Sequence, residues 1–378
     1  MKIVLAPDSF KGSLTAEDVC DAIAQGLRRA VPSADIVARP MADGGEGTLD
    51  AVLAAVGSRG ARASLPVHGA AGDLLSAPYG VIDGETAVIE IAQVVGITDP
   101  AGMRVNVEDR STRGVGELIL RLVDAGLRQF MIGLGGSSTN DGGSGLLGAL
   151  GLRLLDAAGR EVAATPRGLA SLASVDASPI DPRVRACRFS IMSDVDNPLC
   201  GTMGATAIFG PQKGVQAGDV PRIDGVLRRF ADLAQEAMGV DVAELPGSGA
   251  AGGLGFALQL AGGSVRSGAE VVADLIHLDA ALEGADWVIT GEGRSDRQTL
   301  LSKAPFVVAR HAKAARVPVT LLSGAVEGDA LADLHEHFAG CFALPGGPMS
   351  LEACIRDARS LLAARAEALG RLVAAPVK

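Results

Sequence analysis

The sequence predicts an α/β protein of two domains, one of them a parallel sheet assembled from both ends of the chain. Three observations carry this prediction. Short apolar runs alternate with stretches of helical periodicity near both termini, which is the rhythm of β-α units. The segment between them has a less regular rhythm of its own. A chain of 378 residues, 48% of them apolar, is also too long for one ordinary compact domain and apolar enough to bury two cores.

Residues 2–6 (KIVLA) form an apolar run of the kind buried in a parallel strand, ended by Pro7 and the polar Asp8, Ser9 and Lys11. Thr15 with Asp18 three residues on resembles a capping box, and Val19, Ile23, Leu27 and Ala30 then recur at helical spacing. Residues 35–39 make the next strand, which runs into Pro40 and the sequence ADGGEGT, and Leu49, Val52, Leu53 and Val56 mark the helix that follows. The rhythm returns with residues 287–290 (WVIT), a helix over 306–315, residues 317–322 (VPVTLL), residues 341–344 and a last helix from Leu351. Five β-α units are therefore divided between the chain ends. Right-handed crossovers join such strands into one parallel sheet, and five of them suit a flavodoxin-like order. The first domain is expected to span 1–65 and 284–378, with 66–283 inserted as a second α/β domain. The insert carries apolar runs at 88–91, 130–133 and 189–192 and a helical pattern over 115–125 with Leu118, Leu122 and Val123. Residues 247–263 are weakly polar, but too short and too rich in glycine for a membrane span, and are expected to form a closely packed loop and helix.

Charge and composition narrow the function. The net charge of −10 arises from acidic and basic residues without a long run of either sign, so neither nucleic acid nor a membrane is an expected partner. Cys20, Cys187, Cys200, Cys341 and Cys354 form no C-x-x-C pair, which suits a reducing compartment and implies no structural zinc. The first residues already read as a strand and lack the segments of a secretory signal, so a cytoplasmic location is expected. With 50 glycines against 3% aromatic residues, tight turns and close backbone approaches are favoured over stacking surfaces, and small anions are held in that way.

In open parallel sheets ligands sit beyond the carboxyl ends of the strands. That rule selects Asp8, Ser9, Lys11 and Ser13 after the first strand, Asp43, Gly44, Gly45 and Glu46 after the second, and Gly291, Glu292, Gly293 and Asp296 after the third. Phosphoryl transfer uses such types: carboxylates for Mg²⁺ and for the acceptor hydroxyl, N–H groups and lysines for phosphates. A single loop of this kind serves as well for a helix cap or tight turn, but three on one rim point to chemistry. In the insert, Gly135, Gly136, Ser137, Ser138, Thr139, Asn140 and Asp141 open the run GGSSTNDGGSG between a strand and a helix, where amides and hydroxyls either cradle phosphate or close a structural turn. The run has neither the spacing nor the lysine of a Walker A loop. Asp194, Asp196 and Asn197 follow the strand FSIMS, a set suited to hydrated Mg²⁺ or to a capped turn before Pro198. Lys213 in FGPQKG and Lys303 stand in turns where an ammonium meets either an anion or water. His335 and His337 are two apart and share no helical face as metal ligands, and no G-x-S-x-G elbow supports acyl chemistry.

The chain resembles the type I glycerate kinases over essentially its whole length. The resemblance runs through APDSFKGS at 6–13, PMADGGEGT at 40–48, GLGGSSTNDGG at 133–143, DVDNPLCG at 194–201, FGPQKG at 209–214, GAAGGLG at 249–255 and TGEGRSDRQT at 290–299. It implies transfer of the γ-phosphoryl group of ATP to D-glycerate with Mg²⁺, 2-phosphoglycerate being the usual product. It also implies a flavodoxin-like domain from both termini and an inserted domain similar to a restriction-endonuclease fold. On this footing Lys11 and Ser13, with Asp8, Ser9, Gly44, Gly45 and Glu46, are expected to hold glycerate, and Asp43 or Asp194 to orient its hydroxyl and accept the proton. The loop from Gly135 to Asp141, with Lys213, is expected to hold the ATP phosphates, and Asp194, Glu292 and Asp296 to bind Mg²⁺. Two positions depart from the family pattern: Ser138 stands where alanine is expected, and Ser302 where glycine is expected before Lys303. A kinase for another small hydroxy acid, a kinase forming 3-phosphoglycerate and a catalytically silent ligand-binding regulator remain the alternatives.

Overall fold

The computed structural model describes residues 1–42, 47–301 and 303–375. The chain folds into two compact units, one made of Met1–Asp43, Asp50–Gly57 and Ser267–Lys378, the other of Gly44–Leu49 and Ser58–Arg266.

The first unit is built on five parallel strands lying in the spatial order Gly340–Ala343, Val319–Ser323, Trp287–Thr290, Lys2–Leu5 and Asp35–Ala38. Counted as they occur in the chain, these strands lie 2-1-3-4-5 across the sheet. Trp287–Thr290 and Val319–Ser323 are buried at every position, as their apolar sequences require, while the edge strands Asp35–Ala38 and Gly340–Ala343 are partly exposed. Helix Ala16–Ala30 starts at Thr15, whose hydroxyl accepts from Asp18 N at 3.1 Å, and it buries Val19, Ile23 and Leu27. The reciprocal half of the capping box is replaced, since the Asp18 carboxylate accepts from the Thr15 hydroxyl at 3.0 Å. Ala358–Val373 packs along this first helix and joins its core through Leu362, Ala366 and Leu369. The approach is close enough that a Cβ on Gly26 would run into the Ala363 carbonyl oxygen. Arg29–Glu367 at 2.7 Å and Arg359–Asp18 at 2.7 Å flank the contact. The two chain ends thus close one core.

The second unit carries a six-stranded mixed sheet in the order Ser264–Arg266, Arg188–Met192, Gln129–Gly133, Thr86–Glu90, Leu74–Ile82 and Gly60–His68. The last three strands are joined antiparallel and the others parallel. Helix Arg113–Asp124 buries Val115, Leu118, Ile119, Leu122 and Val123 in a core shared with Phe130 and Ile132. Phe230, on helix Val220–Met238, meets Phe256 edge-on at 6.0 Å. Among the described residues, no helix is long and apolar enough to cross a membrane.

The units divide at Ser58 and Ser267, where the sequence rhythm places the boundaries at 66 and 284. Strand Gly60–His68 pairs along its whole length with Leu74–Ile82, which draws residues before 66 into the second unit. Helices Gly268–Leu275 and Leu278–Leu282 belong to the first unit because they dock on Ala304–Ala315, where His311 meets Asp279 at 2.6 Å and Glu270 at 3.1 Å. They enter that unit before its third strand, so an alternation of strands and helices does not assign them.

Candidate functional site

Because all five strands of the first unit run the same way, the loops that leave their carboxyl ends gather on one side. They enclose a cavity of about 740 Å³, entirely within that unit, lined by Asp8, Ser9, Lys11 and Ser13 from the first loop and by Glu292, Asp296 and Lys303 from the loop after Trp287–Thr290. Backbone and side-chain bonds fix these loops to each other: Asp8 N donates to Gly291 O at 2.8 Å, and the Thr290 hydroxyl donates to Ala6 O at 2.7 Å. Gly291 is needed where it stands, since a Cβ there would run into the Leu322 carbonyl oxygen. Asp8 is buried and its carboxylate accepts from Ser9 N at 2.6 Å, whereas Lys11 is exposed. Glu292 turns inward: it accepts from Thr299 Oγ1 at 2.6 Å and Ser295 Oγ at 3.2 Å, and it faces Lys303 Nζ at 3.6 Å. Asp296 caps the following turn by accepting from Gln298 N at 2.7 Å and stays half-buried beside the cavity.

In the second unit the glycine-rich run follows strand Gln129–Gly133 and is organised by buried charges. Asp141 has no exposed surface; its carboxylate accepts from Thr112 N and Thr112 Oγ1, each at 2.8 Å, from Gly143 N at 3.0 Å and from Gly145 N at 3.2 Å. Burial pushes its pKa up, and these donors pull the other way. Lys213 is only 2% exposed, and its ammonium donates to Ser137 Oγ at 2.7 Å and Thr139 O at 2.8 Å. Burial lowers its pKa to about 7, against the pull of the Asp141 charge and with the Arg110 charge adding to the fall. Arg110, also buried, donates to Ser138 O at 2.8 Å and Lys213 O at 3.0 Å. Behind the run, Gly142 N donates to Gly252 O at 2.9 Å, and a Cβ on Gly252 would collide with Thr139 O. Among the described residues, Thr139 Oγ1, Asn140 Oδ1 and Ser144 Oγ are buried with no hydrogen-bond partner, an unspent polar capacity concentrated in this run. Gly135 and Gly136 keep exposed surface, while residues 137–147 are buried.

A sequence model of the glycerate kinase family matches residues 3–374. The chain belongs to that family. It is similar to glycerate kinase of Bacillus subtilis strain 168, 40% identical over all of this chain and 98% of that one. It is similar too to glycerate 2-kinase of Escherichia coli K12, 41% identical over 89% of this chain and 88% of that one. Among solved structures, one assigned as glycerate kinase 2 of Salmonella typhimurium LT2 superposes with a TM-score of 0.86 at 42% identity, covering 99% of this chain and 98% of that chain.

Within this member of the glycerate kinase family, the structure gathers Asp8, Ser9, Lys11, Ser13, Glu292 and Asp296 around one cavity. It gathers Ser137, Ser138, Thr139, Asp141 and Lys213 into one hydrogen-bonded cluster. Asp194 follows strand Arg188–Met192 in the second unit, half-buried, and the neighbouring Asn197 is turned to Met203 O at 2.7 Å. Asp43, Gly44, Gly45, Glu46 and Ser302 lie outside the described residues. Lys213 donates to a hydroxyl and a carbonyl of the glycine-rich run, while Asp141 accepts from two amides of that run and from the amide and hydroxyl of Thr112 outside it. Glu292 accepts from two hydroxyls and faces the Lys303 ammonium. Among the described residues, no three His, Cys, Asp or Glu side chains are grouped to hold a metal ion.

Sequence reasoning missed Glu90, Arg110 and Thr112. Glu90 ends strand Thr86–Glu90, is 1% exposed and accepts from Gly47 N at 3.1 Å and Leu49 N at 3.2 Å, so it holds the start of the helix that follows ADGGEGT. Its only signal is an acid closing an apolar run (AVIE). Arg110 and Thr112 act on residues far along the chain, and local spacing carries no trace of that.

Proposed function

We propose that the chain is an ATP-dependent glycerate kinase, moving the γ-phosphoryl group of ATP to a hydroxyl of D-glycerate with 2-phosphoglycerate as product. The observation that carries this reading is the family match across residues 3–374, and the polar floor of the first unit's cavity supplies suitable chemistry. Lys11 and Ser13, with Asp8 and Ser9, hold the acid by charge and hydrogen bonds, and Gly44, Gly45 and Glu46 extend that site. Asp43 or Asp194 orients the hydroxyl. Its oxygen forms the new bond to phosphorus as the bridge to the β-phosphate breaks, ADP leaves, and the hydroxyl proton passes to the carboxylate. In the second unit the phosphates meet the exposed edge of the glycine-rich run at Gly135 and Gly136, whose conformation is set from beneath by Ser137 to Asp141 and Lys213. Mg²⁺, held by Asp194 or Asp296 when bound with the nucleotide, would neutralise developing phosphate charge. The strand order 2-1-3-4-5 agrees with a flavodoxin-like first unit. A restriction-endonuclease-like second unit and a cytoplasmic location complete the reading.

The test is ³¹P NMR of the product formed from D-glycerate, ATP and Mg²⁺, run beside both phosphoglycerate isomers. A 2-phosphoglycerate signal is expected. The 3-phospho isomer would keep the kinase and overturn the hydroxyl, and no product with any acid offered would sink the reading. Asp43→Asn and Asp194→Asn are assayed alongside; if neither lowers turnover by more than about tenfold, the base is neither of them.

A further inference from the structure

Two buried cations grip consecutive residues of the glycine-rich run: Lys213 holds Ser137 and Thr139, and Arg110 holds Ser138 between them. Arg110 is 3% exposed and bonds only to backbone carbonyls. Its Nε donates to Val105 O at 2.9 Å, one terminal nitrogen to Ser138 O at 2.8 Å and Lys213 O at 3.0 Å, and the other to Met103 O at 3.4 Å. Among the described residues, no carboxylate pairs with this guanidinium. The acids just before it in the chain face other arginines, Asp109 meeting Arg167 at 2.6 Å and Glu108 meeting Arg222 at 2.8 Å. Asp141, the buried acid of the run, is turned to Thr112, Gly143 and Gly145. Burial lowers the pKa of Arg110 with no acid to oppose it, and the neighbouring Lys213 is a second cation.

Hydrogen bonds to carbonyl oxygens need a donor and not a charge. A buried cation without an ion pair destabilises a fold, the more so beside another cation. Ser138 lies two residues from Gly136, which is exposed at the edge of the run, a span of at most about 7 Å. Over that distance a buried charge acts with little screening. We propose that Arg110 supplies a counter-charge for the phosphates that meet this edge: it is a positioning residue, held beneath Ser138 out of contact with the nucleotide, and its charge is balanced only when the nucleotide is bound. The inference rests on the placement of the ATP phosphates on this run. Its signature is one that a purely structural clamp lacks, because the loss on removing the charge grows with the charge of the ligand.

Dissociation constants of ADP, AMP and adenosine are measured by calorimetry on the full-length wild type, Arg110→Gln and Arg110→Lys. Glutamine keeps a donor for the carbonyls and removes the charge, whereas lysine keeps the charge and gives up the planar fork. In Arg110→Gln, ADP is expected to bind about tenfold more weakly, AMP a few-fold more weakly and adenosine as in the wild type. In Arg110→Lys, ADP is expected to stay within about threefold of the wild type. Equal weakening of all three ligands in Arg110→Gln would reduce Arg110 to a clamp and overturn the proposal. A tenfold loss of ADP affinity in Arg110→Lys would overturn it as well, and that arm decides by itself if the neutral variant does not fold. Steady-state kinetics give a second readout: KM for ATP rises in Arg110→Gln with KM for glycerate unchanged, whereas a fall in kcat alone counts against the assignment. Amide exchange of wild-type residues 135–141, with and without tripolyphosphate, keeps the two readings apart. Slowed exchange together with wild-type ADP affinity in Arg110→Gln removes the role of Arg110 alone. Unchanged exchange removes the phosphate site on this run, and the proposal falls with it.

Discussion

The Lys213 ammonium spends its hydrogen bonds on Ser137 Oγ and Thr139 O, inside a unit where it has almost no contact with water. Burial brings its pKa from 10.5 to about 7. In the unfolded chain the amine titrates near its ordinary value, so between about pH 7 and pH 10 the unfolded state binds more protons and stability rises with pH. Below about pH 7 both states carry the proton and the cost of the buried charge is present in full, on the order of a few kcal/mol. Thermal melts of the wild type and Lys213→Met at pH 7 and pH 9.5 should therefore show the difference in Tm moving in favour of the wild type as pH rises. A difference that stays flat would mean the ammonium remains charged throughout. Residues such as Lys213 also mark how far the site was legible in the sequence. Strand ends pointed to Asp8, Ser9, Lys11, Ser13, Glu292 and Asp296, and the cavity brings those together, because the side on which loops leave a parallel sheet follows from topology alone. Whether a side chain faces a ligand or its own loop depends on contacts such as Arg110 to Ser138 O, which join residues that no motif places side by side.

At the scale of elements, helices Gly268–Leu275 and Leu278–Leu282 are held to Ala304–Ala315 by one imidazole with a carboxylate on each nitrogen. Burial alone would lower the His311 pKa, but the bonds to Asp279 and Glu270 outweigh it and the net shift is upward. Arg310 also faces Glu270, at 2.9 Å, so the positive charge is shared across the joint. A raised imidazole pKa stabilises the fold in full below about pH 6.5, and that stabilisation is lost as pH rises through the folded value. On going from pH 6 to pH 8 the wild type should lose stability relative to His311→Gln, by on the order of 1 kcal/mol or less because Asp279 is solvent-exposed. Faster amide exchange in these two helices at pH 8 is the local signature, and identical exchange at both pH values would exclude the imidazole as the fastener. Elements also differ in how plainly the sequence announces them. Lys2–Leu5, Trp287–Thr290 and Val319–Ser323 are continuous apolar runs because both faces of the central sheet are covered. Gly60–His68 and Leu74–Ile82 are half exposed, and the former sits at a sheet edge that tolerates Pro66, so neither presents an apolar run to read.

For the whole molecule, the decisive feature is that the first unit is discontinuous and the second is nearly continuous. The second unit draws its core, from Val115 and Leu118 to Phe230 and Phe256, entirely from its own stretch of chain. The first needs Ala358–Val373 to cover Val19, Ile23 and Leu27, so its core closes only when the last helix is present. A fragment of residues 44–266 should therefore unfold cooperatively by itself. A chain truncated after Arg356 should retain that transition and lose the other. Trp287, the one tryptophan in the sequence, makes the two separable: it is 4% exposed in the first unit, and its indole donates to Thr320 Oγ1 at 2.9 Å. In the truncated chain its emission should shift to the red already without denaturant, while far-ultraviolet circular dichroism still records a melt at the midpoint of the 44–266 fragment. A blue-shifted Trp287 in the truncated chain would show that the first sheet holds without its last helix, and a fragment with no cooperative melt would show that the second unit depends on the first for its stability.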